Sequence, residues 1–312
     1  MELRHLVSSD QCVNGEFLEE LFALAKEFEA RHDQGNIPAL LDKKIVATLF
    51  FEPSTRTRFS FEAAALRLGG QVITAENGSM ASSAVKGESI EDTIRVVSSY
   101  ADCVVMRHPQ SGAAKIAASV CPVPFINAGD GSNDHPTQAL LDLYTVKKEF
   151  GGFNNLTFAF VGDLLYGRTV HAWLKFMPLF KNVKIYFVSP EQLKLPEEYI
   201  EALKQQDISF VQESDLPKVL PEVDVLYMTR VQKERFENLN DYNAVKDAYI
   251  LKSGMLGSMK SMARVLHPLP RVNEIELAVD TDPRAAYFRQ ADNGLYVRMA
   301  LLVLMLNPNY KE

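Results

Sequence analysis

Cysteine is scarce in this chain and tryptophan nearly absent, with three of the former and one of the latter in 312 residues. Cys12, Cys103 and Cys121 are odd in number, lack C-x-x-C spacing and have no histidine in ligand register. That excludes a disulfide framework and a zinc site and leaves reduced thiols in the core. Long apolar runs are missing too. The nearest approach, "MALLVLML" (Met299 to Leu306), is far short of a membrane span and suits a buried helix. The amino terminus, "MELRHLVSSD", carries Glu2, Arg4 and His5 before an apolar run can form, so no secretory signal is expected and the cytoplasm is the expected compartment. Positive charge is in deficit, the net being -7, which argues against a general nucleic-acid or anionic-membrane surface. Any anion bound here must be met by local groups. There is no low-complexity tract, no obvious repeat and no glycine-rich P-loop.

What is present is an alternation of short β-branched or apolar runs with longer helix-period segments, the pattern of an α/β protein with mostly parallel sheets flanked by helices. The first series of strands is "KIVATLFF" (Lys44 to Phe51), "QVITA" (Gln71 to Ala75), "CVVMRH" (Cys103 to His108) and "VPFINA" (Val123 to Ala128). The second is "LTFAFVGD" (Leu156 to Asp163), "VKIYFVS" (Val183 to Ser189), "ISFV" (Ile208 to Val211), "VLYMTR" (Val225 to Arg230) and "RVLHPLP" (Arg264 to Pro270). Two doubly wound domains accommodate them better than one large sheet. The boundary is expected after "KKEFGGFNN", where two glycines end a helix. Periodicity does not decide which domain the final apolar helix joins. The expected division is 1–150, with a helix in 291–312 packing back on it, and 151–290.

Arginines recur where strands end: Arg56, Arg107, Arg168, Arg230 and Arg271. Ligands of doubly wound sheets bind outside the carboxyl ends of the strands, so these residues imply a strongly positive cleft for a small polyanion in an otherwise acidic molecule. Guanidinium also meets carboxylate and phosphate two bonds at a time. In "FFEPSTRTR", Pro53 ends the strand, Ser54 is in N-cap position, and the hydroxyls of Ser54, Thr55 and Thr57 would gather with the free N–H groups of the first helical turn. In "NAGDGSNDHPTQALLDL", a glycine-rich loop opens a helix at which His135 and Gln138, three apart, face one side and suit a carbonyl or amide. "SMASSAVKGESIEDT" is a polar loop around Lys86. In "HPLPRVNE", two prolines leave the carbonyls of Pro268 and Leu269 able to accept from a ligand NH2.

Taken in order, "STRTR", "MRHP", "DGSNDHPTQALLDL", "VGDLLYGRTVH", "MTRVQKER" and "HPLPR" resemble the catalytic chains of the aspartate carbamoyltransferase family over nearly the whole length. The resemblance implies transfer of the carbamoyl group of carbamoyl phosphate to the α-amine of L-aspartate, an early step of de novo pyrimidine (UMP) biosynthesis, with neither metal nor cofactor. It assigns carbamoyl phosphate to Ser54, Thr55, Arg56, Thr57, Arg107, His135 and Gln138, with backbone contacts from Leu269 and Pro270. Arg56, Thr55 and His135 are the implied donors to the reacting oxygen. Aspartate falls to Arg168, Thr169, Arg230 and Gln232, with Lys86. Ser82 and Lys86 match a loop that reaches the active site of a neighbouring subunit in a homotrimer. Separate regulatory chains are a further partner this family admits. Ornithine carbamoyltransferase shares motifs of this type, but its family has "HCLP" where this chain has "HPLP", and Arg230 would repel a cationic side chain. A non-catalytic scaffold homologue would be expected to have lost site residues that this chain retains.

Overall fold

The computed structural model describes residues 3–76, 87–236 and 238–310. They form two compact units, Met1–Leu141 with Asp292–Glu312, and Asp142–Ala291. Ser82 and Lys86 lie outside the described residues.

In unit 1 the strands are β1 (His5–Leu6), β2 (Ile45–Phe50), β3 (Gln71–Glu76), β4 (Cys103–His108) and β5 (Phe125–Asp130). All neighbours pair in parallel, in the order β1-β5-β4-β2-β3. The three inner strands read as near-continuous apolar runs because both faces are covered, whereas β3 at the edge is almost wholly exposed. The helices are α1 (Gly15–Asp33), α2 (Thr55–Arg67), α3 (Ile90–Val97), α4 (Ala113–Val120) and the start of α5 (Pro136–Phe150). In α1 the buried residues Phe17, Leu21, Leu24 and Phe28 recur at helical spacing, and Asn14 caps the first turn by accepting the Phe17 N–H at 3.0 Å. β1 was not expected; a two-residue strand carries no periodicity that could reveal it.

In unit 2 the strands are β6 (Thr157–Val161), β7 (Lys184–Val188), β8 (Ser209–Glu213), β9 (Val225–Met228) and β10 (Arg264–Leu266), again all parallel, in the order β10-β9-β6-β7-β8. Its helices are α6 (Arg168–Leu174), α7 (Glu197–Gln205), α8 (Leu216–Val219), α9 (Leu239–Val245) and the start of α10 (Tyr287–Leu306). The core centres on fully buried Trp173, whose indole meets Phe158, Phe160 and Tyr227 at centroid distances of 5.6, 6.0 and 6.3 Å. β10 stops at Leu266, short of the expected Pro270, because Pro268 has no N–H for a ladder and Leu269 adopts φ +53°.

The units divide at Leu141/Asp142 and Ala291/Asp292, whereas the local turn signal placed the first boundary at 150/151. The reason is long-range. Buried Asp142 accepts from Trp173 Nε1 at 3.2 Å, Tyr227 Oη at 2.7 Å and Gln290 Nε2 at 2.6 Å. Glu149 pairs with Arg264 at 2.5 Å and Arg289 at 2.8 Å, so the second half of α5 is anchored in unit 2 although the glycines come after it. The last helix joins unit 1 from Asp292 onward.

Candidate functional site

The strand orders locate the sites before any side chain is considered. In unit 1 the chain runs from β2 outward to β3, then crosses to the other side of β2 to form β4, so the order reverses between β2 and β4. In unit 2 it runs from β6 to β7 and β8, then crosses to β9, so the order reverses between β6 and β9. A crevice opens outside the carboxyl ends of the strands at each such point.

In unit 1 that position holds α2, Arg56 and Arg107. Ser54 occupies the N-cap of α2, as the sequence implies, but its hydroxyl makes no capping hydrogen bond, which leaves it and the first-turn N–H groups for a ligand. Thr57 is buried and Thr55 exposed. Burial, and after it the neighbouring Arg107 guanidinium, hold Arg56 below the usual arginine pKa. Arg107 Nε donates to Glu52 Oε2 at 3.1 Å, and no ion pair joins Arg56 among the described residues. Two neighbouring guanidiniums, one of them paired with a carboxylate, favour an added anion. Arg58 is different: it pairs with Glu76, lies 3.7 Å from Glu62 and stacks over Phe59, which makes it part of the scaffold.

β5 is next to β4, and the turn after it carries His135 and Gln138 to the same end of the sheet. The turn is tightly built. Asp130 accepts from Gly112 N–H at 3.0 Å and Asn133 Nδ2 at 3.1 Å, while Asp134 accepts from Ser9 N–H, Ser9 Oγ and His135 N–H at 2.9, 2.7 and 2.7 Å. Gly131, at φ +53°, admits no side chain, since a Cβ there would lie 2.5 Å from Ser111 Oγ and 2.8 Å from the Pro109 carbonyl. His135 is buried, and its carbonyl accepts the Gln138 N–H at 2.9 Å as α5 begins. Arg298, buried on α10, reaches Thr137 Oγ1 at 3.4 Å and lies over the Phe61 ring at 5.0 Å, linking the helices that carry the two halves of this site.

In unit 2 the loops after β6 and β9 are laced together. Asp163 N–H donates to Thr229 Oγ1 at 2.9 Å, Asp163 Oδ1 accepts the Tyr166 N–H at 2.9 Å, and Gln232 Nε2 donates to the Tyr166 carbonyl at 3.0 Å. Gly162, at φ +112°, permits the close approach; a Cβ would lie 2.5 Å from the Thr229 carbonyl oxygen. Arg168 opens α6 and Arg230 follows β9, so both stand at the switch point. Burial pushes the Asp163 carboxyl up, and Arg230 is among the groups that oppose the shift. Thr169 is hydrogen-bonded to the buried Tyr227 hydroxyl.

Of the five strand-end arginines, Arg271 departs from expectation. It is bound through both terminal nitrogens to Asp280 and stacks on Tyr287 at 5.2 Å, so its charge serves the fold. Asp163 and Glu52 were not singled out in the sequence. Asp163 had a signal, a carboxylate at the carboxyl end of a strand, but an arginine-based search passes over it.

Residues 4–148 match the carbamoyl-P binding domain of aspartate/ornithine carbamoyltransferases, and residues 154–305 match the Asp/Orn binding domain of the same family. The chain belongs to this family. An aspartate carbamoyltransferase catalytic subunit of Bacteroides fragilis is 51% identical over 313 residues, covering 100% of this chain and 99% of that one. The catalytic subunit of Methanocaldococcus jannaschii aspartate transcarbamoylase superimposes with a TM-score of 0.91 at 48% identity, over 99% of this chain and 100% of that one. A Trypanosoma cruzi aspartate transcarbamoylase in complex with N-(phosphonacetyl)-L-aspartic acid follows at TM-score 0.88 and 38% identity, over 96% and 94%.

Proposed function

We propose that this chain is an enzyme that carbamoylates the α-amine of L-aspartate with carbamoyl phosphate, releasing phosphate and N-carbamoyl-L-aspartate, the reaction that feeds pyrimidine synthesis. The observation that carries this reading is the pair Arg56 and Arg107 at the unit 1 switch point, beside a helix N-terminus whose serine hydroxyl makes no cap. A phosphate dianion neutralises both guanidiniums and takes up the N–H groups. Ser54, Thr57 and Arg107 hold the phosphate, Gln138 holds the carbamoyl group, and the carbonyls of Leu269 and Pro270 accept from its NH2. Arg168 and Arg230 take one aspartate carboxylate each, with Thr169 and Gln232 beside them and Lys86 completing the set. The amine attacks the carbamoyl carbon, the new C–N bond forms, and the C–O bond to phosphate breaks. Arg56, Thr55 and His135 donate to the oxygen that becomes negative, where one such donor contributes roughly 3 kcal/mol. The amine proton leaves with the departing phosphate. Holding two substrates in line contributes up to roughly 7 to 11 kcal/mol.

Ser82 and Lys86 act in the active site of a neighbouring copy within a homotrimer. The support is an edge: among the described residues β3 is unpaired on one side, and it is exposed, with Ile73 at 40% exposure and Phe59 at 53% on the adjoining α2. The same face stays covered in a trimer, which sediments as three chains rather than one. The three cysteines are buried and unbridged, which fits the reducing cytoplasm, and among the described residues no helix is long and apolar enough to cross a membrane.

The direct test is turnover with carbamoyl phosphate and either L-aspartate or L-ornithine. Aspartate alone is expected to be carbamoylated; turnover of ornithine would overturn the substrate assignment.

A further inference from the structure

The loop after β10 holds Leu269 at φ +53°, a left-handed conformation that a leucine side chain disfavours. Something must hold it there. The Leu269 N–H donates to Nδ1 of His267 at 2.8 Å, and the other ring nitrogen, Nε2, meets Glu274 Oε1 at 2.7 Å. The second oxygen of Glu274 accepts the N–H groups of Val272 and Asn273, both at 3.0 Å. One carboxylate and one imidazole thus close the loop on itself. Upstream, the His267 N–H donates to Gln290 Oε1 at 2.8 Å, and Gln290 Nε2 donates to Asp142 Oδ1 at 2.6 Å, which ties the loop to α10 and α5 within unit 2. All four side chains are buried.

The arrangement also fixes the tautomer. Because Nδ1 accepts from a backbone N–H, the proton of the neutral ring sits on Nε2 and is donated to Glu274. The ring is therefore used on both edges and has no proton to offer a substrate. What it controls is the backbone at Leu269.

We propose that His267, braced by Glu274, is a positioning residue for the carbamoyl group: by holding the Leu269 N–H it sets where the carbonyls of Leu269 and Pro270 receive the substrate NH2. This rests on the assignment of those carbonyls to carbamoyl phosphate given above.

Two substitutions separate the two edges of the ring. In His267→Asn the amide oxygen falls near the Nδ1 position, so Leu269 keeps an acceptor while Glu274 loses its partner. In His267→Gln the amide lies near the Nε2 position, so Glu274 keeps a donor and Leu269 loses its acceptor. At saturating aspartate, and normalised to folded enzyme by thermal melting, His267→Gln is expected to lower kcat/KM for carbamoyl phosphate by roughly tenfold, the value of one hydrogen bond, and His267→Asn by no more than about threefold. Equal kinetics in the two variants, or a worse His267→Asn, would overturn the inference. A merely structural histidine would lower both melting temperatures and leave the constants of the folded enzyme unchanged. Nitrogen-15 spectra of the unmutated chain decide the matter if neither variant folds. A neutral Nε2–H ring, with a Leu269 amide resonance that moves on addition of carbamoyl phosphate, supports the assignment. An Nδ1–H or charged ring at neutral pH refutes it. Inactivity of the unmutated enzyme would defeat the site assignment itself, whereas an active enzyme with an unimpaired His267→Gln variant defeats this inference alone.

Discussion

In unit 1 the first turn of α2 and the end of β4 bring one guanidinium near another, while in unit 2 the loops after β6 and β9 enclose a buried carboxylate, Asp163, that accepts backbone N–H bonds and feels the Arg230 charge. In both sheets the strand order reverses, between β2 and β4 in unit 1 and between β6 and β9 in unit 2. The electrostatics differ. Among the described residues the unit 1 site sets one ion-paired carboxylate, Glu52, against two guanidiniums, so its affinity for an anion is bound up with the relief of repulsion between Arg56 and Arg107. The unit 2 site is already knit by internal hydrogen bonds, and a ligand there adds to an ordered frame. A highly charged first substrate suits the former, and a selective second substrate suits the latter.

Removing the repulsion at its source has the largest expected effect. Arg56→Ala should lower kcat by about 100- to 1000-fold, the range for loss of one oxyanion donor, without lowering the melting temperature, since a like-charge contact disappears with it. Steady-state kinetics and calorimetry on the same preparation check both halves. Activity within tenfold of the unmutated enzyme would mean that Arg107 suffices alone and that the contrast between the units is overstated.

On the unit 2 side the frame should survive the loss of one charge. Arg230→Ala is expected to raise the KM for aspartate by roughly 10- to 150-fold, the worth of a charged hydrogen bond, and to move the KM for carbamoyl phosphate by less than about threefold. Equal increases in both constants would show that Arg230 supports the fold of the site and does not select the substrate.

These contrasts were only partly legible in the sequence. The inner strands declared themselves because burial on both faces demands apolar runs, and Ser54, Arg56, Arg107, Arg168 and Arg230 could be placed because they sit within a few residues of strand ends. Partnerships across long sequence separations could not. Arg271 looks like the other strand-end arginines until Asp280 is seen beside it, and Asp142 looks like an ordinary helix residue until Trp173, Tyr227 and Gln290 converge on it. The capping position of Ser54 was readable, but its unused hydroxyl was not, because that depends on the torsions of the turn.

The smallest expected effect concerns acid. The buried ring of His267 is held below the usual histidine pKa by burial first; Glu274 works against the shift, while Arg271 and Arg230 add to it. The unfolded chain therefore takes up this proton before the folded one as pH falls through about 6.5, and stability drops over that interval with a slope of up to about 1.4 kcal/mol per pH unit for the single site. His5 and His108 of unit 1 are also depressed by burial and contribute to the same decline, so the unmutated enzyme alone does not assign it. The difference between the unmutated enzyme and His267→Asn does. Denaturant unfolding at pH 5 to 8 should show a shallower acid slope in the variant, with the unit 1 contributions intact. Parallel curves would mean that the ring in unit 2 titrates as it does in the unfolded chain, and that the internal order attributed to this unit does not extend to the loop after β10.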